Sequence, residues 1–155
     1  MPLATLYQWL LLLHIVAAMI WVGGTVTLSA LATYVVRRRD RDATARFVAS
    51  LPVIGPVVMA PAVLAVLGFG IWLVVDSDAW SFDQTWIWIA LAVFAAAFVV
   101  GAAFQSRAAI GAQRAVDEGD DDAAAAGLAH WAWGSRVIVA LLLVAAWDMV
   151  FKPAL

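Results

Sequence analysis

Four long apolar runs, separated by short polar stretches, account for most of the 155 residues. The first covers residues 6–36 almost without interruption and stops at Arg37, Arg38, Arg39, Asp40 and Arg41, charges that belong in a headgroup layer rather than in hydrocarbon. A second run over about residues 47–75 contains Pro52, Pro56 and Pro61 together with Gly55, Gly68 and Gly70, which predicts a helix that is kinked or irregular in its first part. Residues 76–83 (DSDAWSFD) read as a polar turn. The third run extends over residues 85–104 and frays through residues 105–114, and residues 116–122 (VDEGDDD) read as an acidic loop. Alanines from Ala123 begin an amphipathic turn or two that leads into a fourth run over residues 129–151. About 20 apolar residues at 1.5 Å each cross a ~30 Å hydrocarbon core, so each run is long enough to span it, with tilt or protruding ends.

The expected fold is therefore all-α: a transmembrane four-helix antiparallel bundle forming a single domain over residues 1–155. Composition agrees, with 66% apolar and 13% charged residues. A retained first span is expected rather than a cleaved signal peptide, because the N-terminus has no basic region and the apolar run is too long. Five of the nine basic residues (Arg37, Arg38, Arg39, Arg41, Arg46) lie in the first connection, Arg107 and Arg114 lie in the third, and the second has none. The positive-inside rule then puts connections one and three in the cytoplasm and both termini on the outer, periplasmic or extracellular, side. Tyr7, Trp9, Trp72, Trp80, Trp86, Trp88 and Trp147 fit an outer aromatic belt, and Tyr34, Trp131 and Trp133 an inner one.

The expected partners are the lipid bilayer, a redox partner or another membrane subunit, and a second copy of the chain. No basic patch with interleaved aromatics points to nucleic acid. The absence of cysteine excludes disulfides, thiolate metal clusters and cysteine-attached haem.

Against this background one residue stands out. His14 is an imidazole inside the first apolar run, and an ionisable group at such a position is tolerated where it faces protein, water or a ligand. It is a candidate axial ligand, metal ligand or proton-handling group, or alternatively a packing hydrogen-bond donor. Ala18, Trp21 and Thr25 share its helical stripe, with Gly24 beside them, a surface of small residues and one flat ring. The second histidine, His130, is no natural partner. His14 precedes Arg37 by 23 residues, a rise of about 34 Å, and His130 precedes Lys152 by 22, about 33 Å, so the two belong to opposite halves of the membrane. Asp148 and Met149 share the depth of His14 and are the intrachain candidates for a second ligand or proton acceptor. Arg136 and Lys152 are candidate carboxylate partners, and Asp148 and Lys152, four apart, can also pair with each other.

Residues in three of the four runs carry a family resemblance. LHIVAAMIWVGG (residues 13–24, with His14, Trp21 and Gly23), MAPAVLAVLGFGIWL (59–73, with Met59, Pro61, Ala62 and Gly68) and the last run from Arg136 to Phe151, Lys152 and Pro153 resemble the bacterial four-helix membrane superfamily of J-type protoporphyrinogen oxidases and copper-resistance D membrane domains. The resemblance implies a bacterial plasma-membrane protein and haem b or a related porphyrin, ligated from the first span by His14. Copper handling, or a non-catalytic scaffold role, is the alternative it leaves open. Thr33 to Val36, Trp86-Ile87-Trp88 and Val137-Ile138 stand where the oxidases carry a further histidine, a tryptophan-leucine-histidine and an asparagine-glutamate pair. The ending Trp147-Asp148-Met149 resembles an uncharacterised branch more closely.

Overall fold

A computed structural model describes residues 5–152 and shows four helices long and apolar enough to cross a membrane: α1 (Leu6–Arg38), α2 (Arg41–Val75), α3 (Thr85–Glu118) and α4 (Asp121–Phe151). Each begins or ends where local chemistry dictates. Thr5 and Gln8 close a reciprocal capping box at the start of α1, the Gln8 side chain accepting from the Thr5 N–H at 2.9 Å. Asp40 and Asp120 accept from the N–H groups of Ala43 and Ala123, each at 2.9 Å, and so start α2 and α4. Arg39 and Gly119 take the left-handed conformation that ends α1 and α3, at φ of 53° and 73°.

These caps shift the boundaries that the apolar runs suggest. The acidic stretch 116–122 is not a loop: α3 runs on to Glu118, the connection is Gly119 and Asp120, and α4 starts at Asp121. Alanine-rich residues 106–118 are good helix formers, and their apolar side buries Ala112 and Ala115 against the bundle, so the helix continues beyond its hydrophobic run. Likewise α2 starts at Arg41 rather than near residue 47. Pro153, part of the lysine-proline ending, lies outside the described residues.

The irregularity expected in α2 is a single π-helical segment over Gly55–Met59. Pro56 has no N–H to donate, and the ladder slips by one residue so that the Ala60 N–H reaches the Gly55 carbonyl. A second such segment, Val100–Gln105, interrupts α3 without a proline, and there Ser106 brings both its N–H and its hydroxyl to the Gly101 carbonyl.

Two apolar clusters hold the helices together. One, nearer the arginines, joins Ala32, Val35, Phe47, Val48, Leu51, Ala112, Leu128 and Ala132. The other lies deeper and joins Ala17, Trp21, Ala62, Val66, Ala97, Ile138 and Leu142. Hydrogen bonds between helices add to them: Ser29 donates to the Ala132 carbonyl at 3.2 Å, and Gln105 donates to the Trp131 carbonyl and the Ser135 hydroxyl.

Small residues set the spacing of α3 and α4. A Cβ built on Gly127 would lie 2.9 Å from the Ala112 Cβ and 3.0 Å from its Cα, so there is no room for a side chain. Gly127→Val is expected to destabilise the bundle by about 1–3 kcal/mol through this overpacking. Unfolding in mixed micelles measures it, and an unchanged midpoint would refute the close approach.

Candidate functional site

The helices form a ring in the order α2, α1, α4, α3, and the ring closes only at one end. Near the arginines the first part of α2 (Arg41–Ile54) packs against the last part of α3 (Ser106–Glu118). Toward the Lys152 end the same two helices separate, and no Cα of Ala60–Val75 comes within 8 Å of one of Thr85–Val99. The space left between them and the two other helices is a cavity of about 230 Å³. It exceeds what a single water needs and falls short of the ~300–1,000 Å³ usual for ligand pockets, with its fourth side unclosed by backbone.

The walls are apolar and aromatic. Leu11 of α1, Val66 and Ile71 of α2, and Ile87, Leu91 and Phe94 of α3 are among the lining residues. Tyr7, Trp80, Phe82 and Trp86 line the Lys152 end. Tyr7, His14, Trp80, Trp86 and Lys152 bring polar atoms to this lining, and Met149 a thioether.

The imidazole of His14 is half-buried, and its Nδ1 lies 2.9 Å from the backbone carbonyl of Val66. A carbonyl only accepts, so Nδ1 carries the proton and donates, and Nε2 of the neutral ring is left with its lone pair. This fixes both tautomer and ring orientation, as a backbone acceptor does for metal-bound histidines. The ring has room because residue 70 is glycine: a Cβ there would sit 3.1 Å from His14 Cε1 and 3.4 Å from Nδ1. Gly70→Val is expected to displace the imidazole without disturbing the clusters elsewhere. The check is the histidine proton resonance in a ¹H–¹⁵N spectrum, and an unmoved resonance would contradict it.

Met149 and Lys152, from the last turn of α4, line the same cavity as His14. Lys152 does not pair with Asp148. Its ammonium stands 3.3 Å from the centroid of Trp80 and 5.4 Å from that of Trp86, and the two indoles meet edge to face at 5.4 Å. Two aromatic faces offer the cation a better-defined seat than a flexible pairing along the helix. The connection that brings Trp80 there is ordered by its own hydrogen bonds. Trp88 Nε1 donates to the Phe82 carbonyl at 2.7 Å, Ser77 caps the Ala79 N–H, and Ser81 donates to Asp83. That last hydrogen bond holds the Asp83 carboxyl below its ordinary pKa.

Asp148 is 0% exposed, and neither carboxyl oxygen has a hydrogen-bond partner. It continues the buried stripe of Ile138, Leu142 and Ala145 into the bundle, one position before Met149.

The remaining sequence candidates fall elsewhere. Trp21 is buried below the cavity and packs edge-on to Phe94 at 5.6 Å, so it forms part of the floor's support rather than the wall. Gly24, expected to leave room beside it, is filled by Met59. Arg136 donates to the Thr33 hydroxyl at 2.7 Å, toward the arginine end, and does not reach the cavity. His130 is exposed in the same half, far along the bundle from His14. Tyr7, Trp80 and Trp86, which sequence position assigns to the outer aromatic belt, line the cavity. Gly70 among the small residues of the second run was the one signal for a close approach there. Among the described residues no group of three or more His, Asp or Glu side chains is arranged to hold a metal ion.

No curated protein and no solved structure matches this chain. A family profile does, described as predicted integral membrane protein (DUF2269), over residues 8–153. With four membrane-length helices and a match over nearly its whole length, the chain belongs to the DUF2269 family of predicted integral membrane proteins.

Proposed function

We propose that the protein binds haem b or a related porphyrin in the cavity at the Lys152 end, through His14, and takes part in electron transfer or porphyrin handling. The observation that carries this reading is the His14 hydrogen bond to the Val66 carbonyl, which leaves the lone pair of Nε2 for a ligand in a residue that lines an apolar, aromatic-walled cavity. The residues present fit such a group: an oriented imidazole, a thioether from Met149, flat rings for contact, and one cation for a carboxylate. Haem, when bound, supplies a one-electron couple.

The chain's own contributions follow from their placement. His14 and Met149 are the residues that would hold the iron of such a group, through a ring nitrogen and a thioether, a pair that favours reduced iron. Lys152, leaving or sharing its indoles, would neutralise a carboxylate of the group. Trp80, Trp86 and Phe82 keep water from the ring. Five arginines at the other end support, through the positive-inside rule, a reading in which the cavity lies in the outer half of a bacterial plasma membrane with both termini outside. A membrane or periplasmic redox protein is then the expected partner.

Titration of haem into the detergent-purified protein tests the reading. Saturation near one haem per chain with a shifted Soret band supports it, and a band that rises linearly without saturating sinks it. The copper alternative would draw on His14, Asp148 and Met149 as a mixed-ligand site, and metal analysis of the purified protein tests it.

A further inference from the structure

We propose that the ligand of this cavity enters and leaves sideways, from the bilayer, through the gap between Ala60–Val75 and Thr85–Val99, while the 76–84 connection shuts the cavity from water. This rests on the reading of the cavity as a haem or porphyrin site, and it concerns how that ligand reaches His14.

Three observations carry it. First, α2–α1, α1–α4 and α4–α3 pack along the ring, whereas in the Lys152-end halves no Cα of α2 comes within 8 Å of a Cα of α3, so this is the side of the ring that backbone closes least. Second, the rim of that side is apolar: Ile71 is 40% exposed and Leu67 and Leu91 are partly exposed, and all three also line the cavity. Third, the 76–84 connection contributes Trp80 and Phe82 to the cavity lining, and Lys152 joins that connection to α4 by standing on the Trp80 ring at 3.3 Å. An apolar molecule that carries carboxylates dissolves in the bilayer with its charges at the headgroups. It can slide between α2 and α3 at that depth and bring its carboxylates to Lys152 without crossing the 76–84 connection.

The natural sequence has no cysteine, so one introduced thiol reports access cleanly. Ala90 is buried and lines the cavity, and Ala90→Cys in liposomes is the reporter. Its alkylation by an acyl-chain maleimide is compared with its conversion to a mixed disulfide by a sulfonate-bearing thiosulfonate, which releases a sulfinate. Val75→Cys serves as the lipid-facing control and Asp78→Cys as the water-facing one. The maleimide is expected to react faster, relative to its control, by at least about tenfold, because the charged reagent is excluded from hydrocarbon. Filling the rim with Ile71→Trp and Leu91→Trp should slow the maleimide by a similar factor and leave the controls unchanged. Equal access for both reagents, access for neither, or no effect of the rim tryptophans overturns the proposal. Leu67→Cys repeats the test should Ala90→Cys fail to fold. Failure of the haem reading is distinguishable: no saturable haem binding with lipid-side access sinks that reading and keeps the port. Haem binding with water-side access sinks the port alone.

Discussion

The His14→Ala variant is expected to lose haem affinity by more than about 100-fold while keeping its helical content and unfolding midpoint. Removing groups that merely orient a metal-bound histidine costs 10–100-fold, so removing the ligand itself costs more. The fold should tolerate the change, because His14 contributes a single inter-helix hydrogen bond, worth about 1 kcal/mol, and lies outside both apolar clusters. Free imidazole added to His14→Ala should restore part of the Soret shift, since the ring leaves a hole of its own size beside Gly70. Unchanged affinity would mean that the imidazole only ties α1 to α2.

Asp148→Val is expected to stabilise the bundle by about 1–3 kcal/mol, an unusual sign for a buried substitution. Both carboxyl oxygens of Asp148 lie inside the bundle without a partner, and an unsatisfied polar group costs roughly that amount relative to an apolar side chain of similar size. Asp148→Asn keeps a polar group in the same place and should gain little. Unfolding midpoints of the three proteins in mixed micelles decide the matter. A loss of stability in Asp148→Val would show that the carboxyl is satisfied in the folded protein. If the gain appears, the chain carries a destabilising carboxyl one residue from the cavity-lining Met149.

Much of this architecture is legible in the sequence for simple reasons. Hydrocarbon imposes one secondary structure and one minimum length, so four apolar runs mean four helices, and the count needs no tertiary information. The helix ends were harder to read. Residues 106–118 are only partly apolar, and their helix depends on the burial of Ala112 against Gly127, which hydropathy does not register. Pro56 announced an irregularity in α2, but the π segment at Val100–Gln105 has no proline to mark it.

The candidate site divides in the same way. Counting residues from the arginines sets His14 level with the end of α4, and the cavity holds His14, Met149 and Lys152 together. Depth alone says nothing about which side a residue faces. Trp21 follows His14 by two helical turns yet supports the floor, and Arg136 is drawn to Thr33. The seat of Lys152 depends on Trp80, from a connection whose path no local pattern fixes, so the pairing with Asp148 looked equally available. The cavity itself is a property of which neighbours in the ring do not touch, and no single segment encodes it.

The most direct measurement is a reduced-minus-oxidised absorption spectrum of the purified full-length protein after haem supplementation, taken beside His14→Ala. The account predicts a sharp Soret and α-band difference typical of a ligated b-type haem in the native protein, lost in the variant. A native protein with no haem difference spectrum, or one identical to that of His14→Ala, would contradict it.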